Sequence, residues 1–244
     1  FETDEAVRLI QQEIDGPIAT SEVQRLVVDT QGWAAGLIIA TKAWQRDQRE
    51  GVPPEGGTTG LRHEFASYFH EEVFELQNQE VRDFLVDTSI LDELSPAACA
   101  AVISNAKARN ILEQVFEGGL FLSDLDRELS RYRYHTLFRE MVLGRLMRRA
   151  PERATELHRR ASTYFVETGD LSRALEHAML CGDKIFLADQ LELLAEPMTY
   201  SGLLYRIDEL ASDLPWELQS TRPALLLAMS WRRSRRLAFK SSER

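Results

Sequence analysis

The spacing of apolar residues predicts that nearly the whole chain is helical. At its start, apolar side chains recur every three or four residues, which is the period of a helix with one buried face. Short polar residues that cap helices, and Gly or Pro residues that end them, separate the periodic stretches. The predicted helices begin at Thr3, at Thr20 or Ser21, and at Ala34, the last of them ending near Gln45. We expect them to form a small helical domain over residues 1–60, which closes with a Pro- and Gly-rich linker at residues 49–60.

The next stretch combines helices with one pair of short strands. Residues 61–76 predict an amphipathic helix, whose apolar stripe is Leu61, Phe65, Phe69, Val73 and Leu76. Further helices are predicted over residues 81–90, from Ser95-Pro96 onward, over 108–117 and over 136–149. Before the last of these, an apolar run at 120–122 and an alternating run at Arg131–Tyr134 indicate a β-hairpin, with a polar connection from Asp124 to Ser130. This order of elements predicts a winged-helix domain over residues 61–150.

After Pro151 the pattern predicts short helices joined by tight turns. Gly169-Asp170, Gly182-Asp183 and Pro197 are expected to end successive helices, and Ala161, Tyr164 and Ala174 are spaced as in one tetratricopeptide repeat. The final residues 232–244 lose the period, which predicts an unfinished last element. The predicted fold is therefore mainly α: a helical domain, a winged helix with one small β-hairpin, and the start of a tetratricopeptide-like α-solenoid over residues 151–244.

Composition places the chain among ordinary globular proteins. It has 244 residues, of which 44% are hydrophobic and 28% charged, and this excludes collagen-like, fibrous and wholly disordered classes. No apolar run reaches the ~18 residues that a membrane helix needs. Cys99 and Cys181 are isolated, as in a reducing compartment, so we expect a cytoplasmic protein. The chain begins at Phe1 instead of methionine, so we expect its natural start to lie upstream.

The distribution of charge argues against a nucleic-acid-binding surface. The net charge is −10, although residues 131–160 contain nine arginines against three glutamates. Such a segment either contacts phosphate or pairs with acidic neighbours, and the acidic surroundings favour pairing. In the predicted winged helix, the recognition helix would be residues 107–117, which carry two positive and two negative side chains. We therefore expect no direct DNA contact.

A search for catalytic motifs finds none in the sequence. The patterns GxxxxGK[ST], GxGxxG, GxSxG and HExxH are all absent from these 244 residues. His63 and His70 lie two helical turns apart, about 10 Å along the axis, which is too far for them to share one metal ion. We therefore expect a protein that is not an enzyme and holds no metal.

Several segments, in order, resemble one family of regulators. LVVDTQGWAAGL at residues 26–37 and RYRYHTLF at 131–138, followed by LHRRA at 157–161, are similar to signatures of the MalT-like, LuxR-family regulators. FLVDTSILD at 84–92 and LEQVFEGGLFL at 112–122 match in order and spacing between them. These regulators are signal-transduction ATPases with numerous domains, known as STAND proteins. The resemblance covers about residues 1–230.

The resemblance implies that the chain is the middle of such a regulator. A nucleotide-binding domain would precede it and a sensor would follow, and both would be its partners. His135 would contact the phosphate of ADP in the intact protein, and Trp33 and Ala34 would lie near the adenine, with Ala34 standing where the family has proline. Because the chain has no phosphate loop, ATP and ADP belong to the intact parent, and the chain alone is expected to hold no cofactor.

The function predicted from these observations is regulatory and non-catalytic. The segment would hold the ADP-bound resting state, relay inducer or partner signals, and associate with itself through exposed helical faces. Two alternatives stay open at this point. A stand-alone winged-helix transcription factor would bind duplex DNA with a steep salt dependence. A tetratricopeptide-like adaptor would bind a peptide partner through residues 151–230.

Overall fold

The computed structural model describes residues 3–13, 18–30, 33–50, 74–119 and 122–242. Most of the predicted linker, residues 51–60, and the predicted amphipathic helix up to residue 73 lie outside these ranges. The described residues form thirteen helices and one two-stranded sheet, which confirms the mainly α fold with a single hairpin. The chain divides into two compact units, Phe1–Cys99 with Ala106–Arg148 and Ala100–Asn105 with Arg149–Arg244.

The first three helices of the first unit pack around a small apolar core. They are α1 (Thr3–Glu13), α2 (Thr20–Thr30) and α3 (Ala34–Glu50). Their buried faces meet through the core residues Ala6, Ile10, Val23, Leu26, Leu37 and Ala40. The predicted end of the third helix at Gln45 was wrong: α3 continues to Glu50, because Arg46–Glu50 contains only residues that tolerate a helix and no breaker before Gly51.

The remaining helices of the first unit begin and end close to the predicted residues. They are α4 (Gln79–Thr88), α5 (Pro96–Ile103), whose last residues belong to the second unit, α6 (Ala108–Glu117) and α7 (Thr136–Arg149). Side-chain caps explain two of the starts: Asn78 accepts a hydrogen bond from the Val81 amide at 2.8 Å, and Ser95 accepts one from the Ala98 amide at 3.2 Å. Leu76 was predicted on a buried stripe. It lies exposed in a turn, and Phe74 is buried instead.

The predicted hairpin consists of β1 (Leu122–Asp126) and β2 (Arg131–Tyr134). The strands are antiparallel with Leu122 opposite Tyr134, and a bulge between Asp124 and Asp126 displaces Leu125 from the pairing. The polar connection predicted from Asp124 was wrong by three residues, because β1 continues through the bulge to Asp126. Leu94 extends the sheet by exchanging two backbone hydrogen bonds with Tyr132, at 2.8 and 2.9 Å.

The second unit is helical apart from its turns. It contains the end of α5 and six further helices, α8 (Pro151–Glu167), α9 (Leu171–Leu180), α10 (Lys184–Tyr200), α11 (Leu204–Ser212), α12 (Trp216–Ser220) and α13 (Pro223–Ser242). Two predicted ends were wrong. Helix α10 passes through Pro197, because a proline on an exposed face near the C-terminus costs few hydrogen bonds and Met198 stays buried. Helix α13 includes residues predicted to lose the period.

At least five of the nine arginines of residues 131–160 pair with acidic side chains, in line with the pairing that the charge pattern favoured. The ion pairs join Arg131 to Glu93, Arg139 to Asp92, Arg145 to Glu75, Arg159 to Asp183 and Arg160 to Glu156. Arg139 also donates to the carbonyls of Ser89 and Ile90, at 2.9 and 3.3 Å, where α4 ends. Much of this positive charge therefore stabilises the fold.

None of the helices in the described part of the chain is both long enough and apolar enough to cross a bilayer.

Candidate functional site

Trp33 occupies the position just before α3, three residues after the last residue of α2, Thr30. Its amide donates to the Thr30 carbonyl at 3.0 Å, and its own carbonyl accepts from the Leu37 amide at 2.8 Å. The first bond links Trp33 to the end of α2 and the second begins the ladder of α3, so Trp33 has the backbone role of an N-cap. This places the indole ring where two helices of the three-helix core meet.

His135 occupies the equivalent position before α7, immediately after β2. Its carbonyl accepts from the Arg139 amide at 2.9 Å, which begins α7. The residue before it, Tyr134, is fully buried, and its hydroxyl lies 2.6 Å from the Thr88 hydroxyl. Burial raises the pKa of Tyr134 above its ordinary value, so the phenol stays protonated. The backbone on both sides of His135 is therefore fixed.

The rings of Trp33 and His135 stack on each other. Their centroids are 5.0 Å apart and their planes differ by 15°, and both residues belong to the first compact unit. Trp33 is only 5% exposed, whereas His135 and Ala34 are half-buried. The structure thus brings two of the three predicted site residues into contact and leaves Ala34 beside them in the chain. Their role toward a nucleotide stays a prediction.

Gly36 packs closely against the Trp33 indole, a contact that the sequence analysis did not predict. A Cβ built on Gly36 would lie 2.8 Å from Cε3 of Trp33, closer than real side chains approach one another. Only glycine lets α3 come this near to the indole. The signal was present in the GWAAGL motif, where the glycine follows the tryptophan by three residues, which is about one helical turn.

Electrostatics leave the His135 ring neutral near pH 7. Burial lowers the pKa of His135 below its ordinary value of 6.5, since the charged form is the one that loses hydration. A neutral imidazole has one nitrogen that donates and one that accepts. The first turn of α7, next to the ring, contains no acidic residue, so the positive end of the helix dipole is not offset there.

The lowered pKa of His135 predicts a loss of stability in mild acid. The folded protein binds the proton more weakly than the unfolded chain, so this contribution is complete above about pH 6.5 and declines as the pH falls toward the folded pKa. NMR titration of the ring should give a pKa below that of the same residue in urea. A folded value at or above the unfolded one would mean that attraction between the imidazolium and the indole outweighs burial.

Two further histidines, His158 and His177, lie in the second unit and contact each other. His158 of α8 and His177 of α9 are buried, and their Nδ1 atoms are 2.9 Å apart, so one donates to the other. Phe165 stacks on His177 with centroids 5.4 Å apart. Across the described ranges, no group of three or more His, Cys, Asp or Glu residues could hold a metal ion. Burial raises the pKa of the Cys99 thiol to about 12, which makes it a poor nucleophile.

Part of the chain matches a known family. The family model described as the MalT winged helix domain matches residues 70–154, a range that contains the hairpin, His135 and α7. The HTH-type transcriptional regulators MalT of Vibrio parahaemolyticus and Vibrio cholerae are 26% and 27% identical to the chain over 232 residues, which is 95% of this chain and 26% of each regulator. The chain is similar to a segment of MalT regulators that includes their winged helix domain.

A protein of another class is also similar to the chain. The serine/threonine-protein kinase PknK of Mycobacterium tuberculosis is 30% identical over 233 residues, which is 95% of this chain and 21% of the kinase. The chain therefore spans between 21% and 26% of the length of these relatives. In this chain, the stack joins a residue inside the matched range, His135, to one that precedes that range, Trp33.

Proposed function

We propose that this chain is the regulatory middle of a MalT-like transcription regulator in the cytoplasm, where it holds an ADP-bound resting state and relays inducer or partner signals. The observation that supports this most directly is the stack of Trp33 on His135. The stack joins the residue before α3 to the residue before α7. The predicted winged helix therefore contacts the three-helix core at His135, the residue predicted to contact the nucleotide.

The strength of this contact suits a switch. A stacked aromatic pair contributes about 0.5–1.5 kcal/mol beyond the area that it buries. Two functional conformations of a protein differ by only a few kcal/mol, so a ligand or partner that prefers one arrangement of the rings can shift the population. A large covalent or ionic lock would not respond to such a signal.

The residues around His135 fit the phosphate part of ADP. The ring is neutral and half-buried, and one of its nitrogens can donate a hydrogen bond to a phosphate oxygen. It lies at the start of α7, where the helix dipole favours an anion. ADP would supply the negative charge that this contact needs, and the MalT-like parent would supply the phosphate loop. Ala34, also half-buried, presents only a methyl group.

The partners proposed for the chain are the nucleotide-binding domain and the sensor of that parent. The chain itself is proposed to be non-catalytic and to make no direct contact with DNA, because five of its arginines between residues 131 and 160 are engaged in ion pairs. In α6, the helix that would be the recognition helix of the predicted winged helix, Arg109 lies 3.8 Å from Glu113. These paired arginines are less available for phosphate contacts.

The experiment that tests the resting-state role replaces His135 with alanine in the full-length regulator that carries this segment. Loss of one hydrogen bond to a charged phosphate should speed ADP release roughly tenfold or more. Transcription from the regulator's promoter should then rise without inducer. The matched control is Arg133→Ala, an exposed position on the same strand, which should leave both readouts unchanged. Unchanged ADP release in His135→Ala would contradict the proposal.

A second prediction concerns the 244-residue chain and duplex DNA. With a net charge of −10, the chain should show no binding in fluorescence anisotropy with a random 30-base-pair probe, even at low salt. The measurement is repeated from about 20 to 200 mM salt, over which a phosphate-binding protein loses orders of magnitude in affinity. Tight binding with such a steep salt dependence would instead support a DNA-reading winged helix.

A further inference from the structure

We infer that Trp33 is a positioning residue, which orients the His135 ring by stacking on its face, and that it does not contact adenine. The inference rests on the proposed function for the identity of the group that the ring then meets. It also revises the role implied by the resemblance, in which Trp33 lies beside the adenine base.

The indole of Trp33 has little open surface on which a base could stack. Trp33 is 5% exposed, and the His135 ring lies parallel to it at 5.0 Å. A base that stacked on the indole would need one of its faces open over an area as large as a ring. So little of the side chain reaches solvent that this stacking would require His135 to leave.

The two rings are held in different ways. The indole is fixed on the α3 side by the close approach of Gly36, and its backbone is fixed by hydrogen bonds at both ends of the turn. The imidazole, in contrast, makes no side-chain hydrogen bond to any residue that the structure describes, and its face rests on the indole. The stack therefore fixes the plane of the His135 ring.

This division of contacts is what positioning requires. A face-on contact fixes the plane of the imidazole while both ring nitrogens, which lie on its edge, stay available to a ligand. A residue that hydrogen-bonded to one nitrogen would fix the ring equally well but would occupy a donor or acceptor. An indole leaves both nitrogens of the imidazole unoccupied, because it contacts the imidazole only through its π surface. Trp33 thus acts on a phosphate through His135.

The test has one arm that needs no nucleotide. In the 244-residue chain, ring protons of His135 should show the upfield NMR shift that an indole face induces. The shift should persist in part in Trp33→Phe and disappear in Trp33→Leu, while Trp216→Leu, at an exposed tryptophan of the other unit, should leave it intact. An unchanged shift in Trp33→Leu would overturn the inference. The Trp33→Phe variant guards against a simple failure to fold, since an aromatic ring still fills the site.

The second arm measures ADP release in the full-length regulator with Trp33→Leu, His135→Ala and the double variant. If Trp33 acts through His135, Trp33→Leu should speed release severalfold and the double variant should match His135→Ala alone. Effects that multiply would mean an independent contact with the nucleotide, and would overturn the inference. If His135→Ala has no effect on release while the NMR arm succeeds, the proposed function fails and the orienting contact stands.

Discussion

Replacing Phe138 with alanine should destabilise the first unit by about 3–5 kcal/mol, the largest effect that we expect from a single substitution in this chain. Phe138 lies in the first turn of α7, one turn after His135, and is fully buried. Its ring centroid is 5.1 Å from that of Tyr134. Removing the ring leaves a cavity that the fixed corner between β2 and α7 cannot fill, since Tyr134 is held by its hydrogen bond to Thr88.

Urea unfolding followed by circular dichroism measures this loss, and hydrogen exchange of the α7 amides reports on the first unit separately from the second. Phe138→Leu keeps most of the volume and should lose much less stability. Met147→Ala, at a position on the same helix that is 48% exposed, should change stability by less than about 0.5 kcal/mol. A Phe138→Ala loss as small as that of Met147→Ala would mean that this corner relaxes freely and is not the rigid support of His135 described above.

Elements whose ends are set locally could be predicted from the sequence to the residue. Helix α6 was expected at 108–117 and α9 at 171–180, and both have these bounds. Each ends before a glycine that takes a positive φ, Gly119 at 69° and Gly182 at 72°, a conformation that other residues adopt at a cost. Asp170 caps α9 by accepting from the Arg173 amide. Caps and glycines act within one turn, so their meaning does not depend on the rest of the fold.

Elements whose ends are set by packing could not be predicted in the same way. Pro197 is a helix breaker by local rules, yet α10 continues past it because Leu194, Ala195 and Met198 are buried against neighbouring helices. Helix α13 runs through the arginine-rich residues 232–236, where Arg232 and Asp208 of α11 are 3.2 Å apart. The pairing of Leu94 with Tyr132 likewise could not be predicted from the spacing of apolar residues, because the two residues are far apart in the chain. Tertiary contacts overrode local preference in each case.

In the candidate site, the residues could be predicted from the sequence but the contacts between them could not. His135 and Trp33 were found by resemblance of two short motifs, which says that both matter but does not say that they touch. The stack brings together residues about one hundred positions apart, and no spacing rule covers that distance. The resemblance placed Trp33 beside a base, whereas its burial against His135 supports a different role. Gly36 was part of the matching motif, but its function follows only from the close approach that the backbone makes to Trp33.

A matched pair of glycine substitutions tests whether that close approach matters. Gly36→Ala places a methyl group 2.8 Å from Cε3 of Trp33, a ring atom that α3 and His135 hold from both sides. The indole must shift, which should cost about 1–3 kcal/mol as overpacking does in other cores. The change should also weaken the upfield NMR shift of the His135 ring protons.

Gly144→Ala is the control, because Gly144 is also helical but is opposed only by a flexible side-chain end. Its added methyl would lie 3.2 Å from the Nη1 atom of Arg148, an exposed guanidinium that can move away. Replacing a glycine inside a helix by alanine then stabilises it by about 0.5–1 kcal/mol. Urea unfolding should therefore move in opposite directions for the two variants, and only Gly36→Ala should disturb the His135 signals. If both variants stabilise the chain and leave His135 unchanged, the indole is not confined by α3, and Trp33 has no fixed surface from which to orient the histidine.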